Sequence, residues 1–190
     1  MPRINAATLA EHRAAQQRAL LDAARELVAE HGANFTLAQV AARAGLARPS
    51  LYQYFKSREE LVEAVVADVF PRWSARIAQV VAAAASPRDA VLAYARANLE
   101  LVSGGEHEIA AALSAIAPQP VVALRSAAMH REMLEPLART LDQMGISDPD
   151  RAAELVNAVV LAASKQVDAG ESVGAVMTRV EAVLALSARG

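Results

Sequence analysis

Residues 37–55 read LAQVAARAGLARPSLYQYF: a short amphipathic segment, a glycine, and a second short amphipathic segment. This is helix-turn-helix spacing. In the first part Leu37, Val40, Ala41 and Ala44 recur at helical intervals and form one apolar face. The small Ala41 lets a second helix approach closely, and Gly45 supplies the turn. In the second part Leu51 and Phe55 stand four residues apart and point together into a core. Arg48, Tyr52 and Lys56 are left along another face, with Gln53 beside them. That face suits duplex DNA: cations neutralise phosphates, tyrosine hydroxyls bond phosphate oxygens, and a glutamine amide can read an adenine edge through two hydrogen bonds. Pro49 fits the first turn of a helix starting near Arg48, where its missing donor is not used.

Outward from this segment the punctuation is helical. Thr8 to Glu11, Thr36 to Gln39 and Ser57 to Glu60 have capping-box spacing, and Ser86-Pro87 and Asp148-Pro149 pair an N-cap with proline at the first helical position. Gly32, Gly45, Gly145 and Gly170 each follow a periodic segment, where a left-handed cap places glycine. Joining starts to stops predicts an all-α chain with helices near 9–31, 37–44, 48–54, 58–84, 87–103, 107–117, 121–144, 149–169 and 173–188. Pro71 and Pro136 are expected to kink or divide their helices, so the count is nine or ten. The expected organisation is a three-helix lobe with the helix-turn-helix over 1–57, followed by a helical lobe over 58–190.

The 190 residues carry a net charge of −2, which looks wrong for a nucleic-acid binder until it is divided along the chain. Residues 1–58 hold eight Lys and Arg against four Asp and Glu, while residues 59–190 hold eleven against seventeen. Cysteine is absent, which excludes disulfides, thiolate nucleophiles and cysteine-ligated metals. His12, His31, His107 and His130 are isolated, and no phosphate-binding loop or nucleophile elbow appears, so neither a metal, a cofactor nor an enzyme activity is expected. The uncharged run Ile109 to Leu124 is broken by Pro118 and Pro120, and Met1 to Arg13 lacks the apolar stretch of a secretory signal. A soluble, cytoplasmic protein away from membranes is expected.

The stretch FTLAQVAARAGLARPSLYQYFKSREELVEAV, residues 35–65, resembles the DNA-binding segment of TetR-type transcriptional regulators. The resemblance is carried by Thr36, Ala41, Gly45, Ser50-Leu51-Tyr52, Tyr54-Phe55 and Ser57-Arg58-Glu59-Glu60-Leu61, and it extends over roughly residues 13–66. It implies phosphate contact by Thr36, Tyr52, Tyr54 and Lys56, and base contact or groove entry by Arg48, Pro49, Ser50 and Gln53. One departure is Ala47, where many relatives carry a Ser or Thr that caps the recognition helix.

One short helix presents few contacts, and helix-turn-helix proteins read two half-sites as dimers. The apolar stripes of 121–144 and 149–169 are the expected dimer surface, with Leu134, Leu137, Leu141, Leu155, Val156, Val159 and Ala163 at the interface. The family role implies a ligand-released repressor on a palindromic operator, with an effector pocket between about 72 and 135. Trp73, Tyr94, Asn98, Met129 and Met133 are the adaptable or amphipathic side chains there, and they favour a small hydrophobic effector. A ligand would act by shifting the helix that begins at Arg58. The competing expectation is a small-molecule-binding or protein-interaction bundle whose helix-turn-helix no longer functions.

Overall fold

The computed structural model describes residues 6–185, and nine α-helices account for most of them. They are α1 (Ala6–His31), α2 (Leu37–Arg43), α3 (Arg48–Leu51), α4 (Arg58–Ala82), α5 (Pro87–Ser103), α6 (Glu106–Ile116), α7 (Gln119–Gln143), α8 (Pro149–Asp168) and α9 (Val173–Ala185). Helix α1 already begins at Ala6, so Thr8, expected as its cap, lies inside the helix, and the last turn expected through residue 188 runs beyond the described residues. No strand occurs among the described residues, as the alanine-rich, weakly alternating sequence leads one to expect.

Several expected starts and stops take their expected chemistry. Thr36 caps α2 with a reciprocal box, its hydroxyl accepting from Gln39 N–H while the Gln39 side chain accepts from Thr36 N–H. Ser57 accepts from Glu60 N–H at 3.1 Å, but the Glu60 carboxylate takes the Lys56 N–H at 2.6 Å instead of closing the box on Ser57. Ser86 caps α5 by accepting from Asp89 N–H. Asp148 is a correction: it sits in the left-handed region at φ 53° and makes no side-chain cap bond to α8. Aspartate tolerates that conformation better than most residues, so here it serves the turn.

The two internal prolines do not divide their helices. Pro71 lies within α4 and Pro136 within α7, which leaves nine helices among the described residues rather than ten. In each case a hydroxyl further along the helix donates to the proline carbonyl, Ser74 to Pro71 at 3.1 Å and Thr140 to Pro136 at 2.9 Å.

The chain gathers into two compact units, Met1–Val69 with Glu108–Ala123, and Phe70–His107 with Leu124–Gly190. In the first, α1 packs on α2 and α2 on α3. Leu20, Leu27 and Val28 of α1, Val40 and Ala41 of α2, Leu51, Phe55, and Leu61, Val62, Val65 and Val66 of α4 are buried. Burying each of the Leu, Val and Phe side chains contributes about 1.5–3 kcal/mol. The two compact units meet within α4, between Val69 and Phe70. Within the first unit Arg18 ties α1 to α4: it donates to both carboxylate oxygens of Asp68, at 2.5 and 2.8 Å, and to Asp22 at 3.1 Å. These partners raise the Arg18 pKa further above its already high value, so the guanidinium stays charged.

In the second unit α5 packs against α8 and α9, and α8 against α9. Ile77, Tyr94, Leu99, Leu137, Val160, Val176 and Met177 fill its core. A polar chain crosses it: Trp73 Nε1 donates to Asn98 Oδ1 at 3.3 Å, Asn98 Nδ2 to the Tyr94 carbonyl at 2.8 Å, and the Tyr94 hydroxyl to Asn157 Oδ1 at 2.7 Å. Each link satisfies a polar group whose burial alone would be costly.

Candidate nucleic-acid interface

The turn between α2 and α3 follows from Gly45. Its φ of 70° belongs to the region where a side chain is strained, although a Cβ there would meet nothing within 4 Å. With it in place, Leu46 N–H reaches the Ala41 carbonyl at 2.8 Å and Gly45 N–H reaches Ala42 at 3.1 Å, which closes the end of α2. Helix α3 then starts at Arg48 with Pro49 in its first turn. Its regular part ends at Leu51, earlier than the expected residue 54. Beyond it Gln53 N–H bonds Ser50 and Tyr54 N–H bonds Leu51, a tighter turn that carries the chain to Phe55. Ala47 holds an extended N-cap backbone without a side-chain bond, so the missing hydroxyl leaves α3 uncapped on that side.

Leu51 and Phe55 are buried at 0% and 3% exposure, and this turns the remaining side chains outward. Arg48, Pro49, Tyr52, Gln53 and Lys56 are exposed, and Ser50 is half-buried. Thr36 is exposed at the start of α2, with its hydroxyl engaged to Gln39 at 2.9 Å. Tyr54 differs from Tyr52. It is half-buried, and its hydroxyl donates to Gln16 of α1.

Two residues of α1 join the site without having been expected there. Arg13 places its guanidinium 5.3 Å from the Tyr54 ring centroid and donates to the Gln53 carbonyl at 3.3 Å, while Gln16 holds the Tyr54 hydroxyl. They sit 38 to 40 residues away in sequence, so no local spacing links them to α3. Nor do all the basic residues of this unit face outward. Arg43 is bound to Glu30 at 2.5 and 2.8 Å, and its hydrogen bond holds the Glu30 carboxyl below the usual range. Arg48, Lys56 and Arg13 remain as exposed cations around the recognition helix.

The expected effector residues lie in the second unit as packing. Trp73, Tyr94, Asn98 and Met133 are buried, and Met129 is half-buried. A groove of about 330 Å³ opens elsewhere in that unit, lined mainly by aliphatic side chains of α5, α8, α9 and the α7–α8 turn, and none of those five residues touches it. Their amphipathic character is absorbed by the Trp73–Asn98–Tyr94–Asn157 chain.

Of the expected interface residues, Leu137, Leu141 and Ala163 are enclosed by their own chain, while Leu134, Val156 and Val159 are half-buried. Only Leu155 is fully outward, at 70% exposure. Helical periodicity marks an apolar face without saying whose surface covers it. The outward apolar face of α8 is formed by Leu155 and Leu161 with Ala158 and Ala162, and Leu161 was not anticipated. Among the described residues no helix is long and apolar enough to cross a membrane, and no three His, Asp or Glu side chains converge to hold a metal ion.

Residues 20–65 match the sequence profile of the bacterial regulatory proteins of the tetR family. No curated protein matches the chain. Among solved structures, a TetR-family transcriptional regulator from Agrobacterium tumefaciens is similar, with 21% identity and a TM-score of 0.68 over 89% of this chain and 95% of that one. The fatty acid degradation regulator FadR from Bacillus halodurans is similar at 18% identity and a TM-score of 0.68, over 89% of this chain and 94% of that one. FadR from Bacillus subtilis, in complex with stearoyl-CoA, is similar at 18% identity and a TM-score of 0.66, over 88% and 96%. The segment with the exposed helix α3 thus carries the tetR-family sequence profile, and the all-helical fold of the described residues is shared with these solved structures along most of their length.

Proposed function

We propose that the protein is a ligand-responsive, DNA-binding transcriptional repressor of the cytoplasm, which binds a palindromic operator as a homodimer and is released by a small hydrophobic molecule. The observation that carries this reading is the outward face of α3. With Leu51 and Phe55 buried, Arg48, Tyr52, Gln53 and Lys56 are left for a major groove and its flanking phosphates. Thr36 and Tyr54 complete the phosphate set, and Pro49 and Ser50 enter the groove beside Gln53. Residues 1–57 form the DNA-binding domain, and residues 58–190 hold the dimer and the effector. The protein is a regulator and not an enzyme.

A second copy is required because a single four-residue helix reads too little sequence. The outward face of α8, with Leu155 and Leu161 exposed at 70% and 50%, supports that contact. The stearoyl-CoA held by FadR of Bacillus subtilis supports an effector with a long apolar part, in keeping with the aliphatic lining of the groove beside α8 and α9. Trp73, Tyr94, Asn98, Met129 and Met133 remain the proposed ligand contacts, on the condition that their packing opens. The ligand favours one arrangement of α4 and so changes the spacing between the two recognition helices. Ligand and operator then oppose each other reciprocally.

The test is selection of bound fragments from genomic DNA with the purified protein. Recovered sites should contain two half-sites about 34 Å apart, and affinity should fall steeply with salt. No enrichment over input DNA would overturn the reading. Compounds are then screened for release of the recovered operator, with the fluorescence of Trp73, the only tryptophan, as an independent report of binding.

A further inference from the structure

We infer that Arg58 is a positioning residue for duplex binding: it locks the stretch preceding Thr36 to the first residue of α4, and so fixes the spacing between the two ends that carry Thr36 and Lys56. The inference rests on the DNA-binding reading and adds to it a cation that works without touching DNA.

Arg58 Nη2 donates to the Ala33 carbonyl at 2.6 Å and Nε to the Phe35 carbonyl at 3.4 Å, and the guanidinium carbon lies 4.5 Å from the centroid of the Phe35 ring. Phe35 is itself buried at 4% exposure, so the ring is a fixed platform. Residues 33–35 lie outside any helix, between the end of α1 and the cap of α2. Two of the fork's donors and one face of its plane are therefore committed to that connection. Thr36 follows Phe35 directly, and Lys56 precedes Arg58 by two residues. One planar cation thus joins the neighbours of two proposed phosphate contacts that are twenty positions apart in sequence. A lysine carries a single point of charge and reproduces neither the two-carbonyl reach nor the stacking.

The experiment measures affinity of the full chain for its selected operator, and for an unrelated duplex of equal length, across a salt series. Arg58→Ala should weaken binding at least about tenfold on both duplexes, because the charged hydrogen bonds that hold the connection are lost. The log–log salt slope should stay at the wild-type value, since no phosphate contact is removed. Arg58→Lys should fall between the two with the same slope, and it replaces the alanine variant if thermal melts show that variant unfolded. A slope shallower by about 0.9 would place the guanidinium on a phosphate and overturn the inference. Unchanged affinity in both variants would also overturn it, by reducing Arg58 to a stabilising residue. If the wild-type protein shows no salt-dependent binding to either duplex, the DNA-binding reading itself has failed, a result separable from the other two.

Discussion

Gln53 shows how one residue can be both held and free. Its carbonyl accepts from Arg13, while its side chain is exposed beside Arg48 and Tyr52. A fixed backbone with an outward amide suits reading a base edge, where each bidentate pair discriminates by about 1–3 kcal/mol. Gln53→Ala should therefore change which operator variant is preferred while leaving the salt slope alone; equal weakening on every duplex would argue against base reading. Tyr94 is the opposite case, a phenol fully enclosed and bonded to Asn157. Burial raises its pKa above the ordinary value near 10. Its contribution to stability is thus fully present below about pH 10 and is lost as pH rises, because the unfolded phenol ionises first. Tyr94→Phe should lower the unfolding free energy obtained from urea titration at pH 8 by about 1 kcal/mol for the lost hydrogen bond, and should flatten the further decline between pH 9 and pH 11. A decline as steep as that of wild type would assign the alkaline sensitivity to other groups.

At the scale of elements, α3 is the weakest helix by construction. It has four regular residues, a proline in its first turn and an N-cap without a hydroxyl. Local propensity cannot sustain so short a helix, so Leu51 and Phe55 in the core, together with Arg13 and Gln16 of α1, hold it instead. Ala47→Ser offers a second acceptor to the Ser50 N–H, which already bonds the Ala47 carbonyl at 2.9 Å, and should add at most about 1 kcal/mol, raising Tm by up to about 3 °C. An unchanged melting temperature would mean that tertiary contacts already hold the helix start. The boundaries of most helices were legible because capping chemistry is local, as Thr36 and Ser86 show. Asp148 was misread for an equally physical reason: an Asp-Pro pair fits both a cap and a left-handed turn, and backbone dihedrals decide between them.

For the molecule as a whole, the proposed dimer rests on α8. Leu161→Asp puts a charge on an outward position, where the protomer's own packing is spared and a seam between two copies is not. Sedimentation should then show monomers with an unaltered helical spectrum, and operator affinity should collapse with the loss of paired half-sites. A dimer that survives would move the seam off this face of α8. Leu155 was legible as an interface residue, but Leu161 stands out only after burial is known, because in sequence it belongs to the same apolar run as Val160 and Ala163, which are core.

The amino-acid order alone was enough for the helical class, for most of the breaks between helices and for the helix-turn-helix, since period, caps and turn glycines act over a few residues. Folding in three dimensions decided which cations point outward, with Arg43 spent on Glu30, Arg18 on Asp68 and Arg58 on Phe35 and its neighbours. It also decided which apolar stripes are interior and where α4 passes from one compact unit to the other. These choices depend on partners tens of residues away, and no local pattern records the meeting of distant side chains.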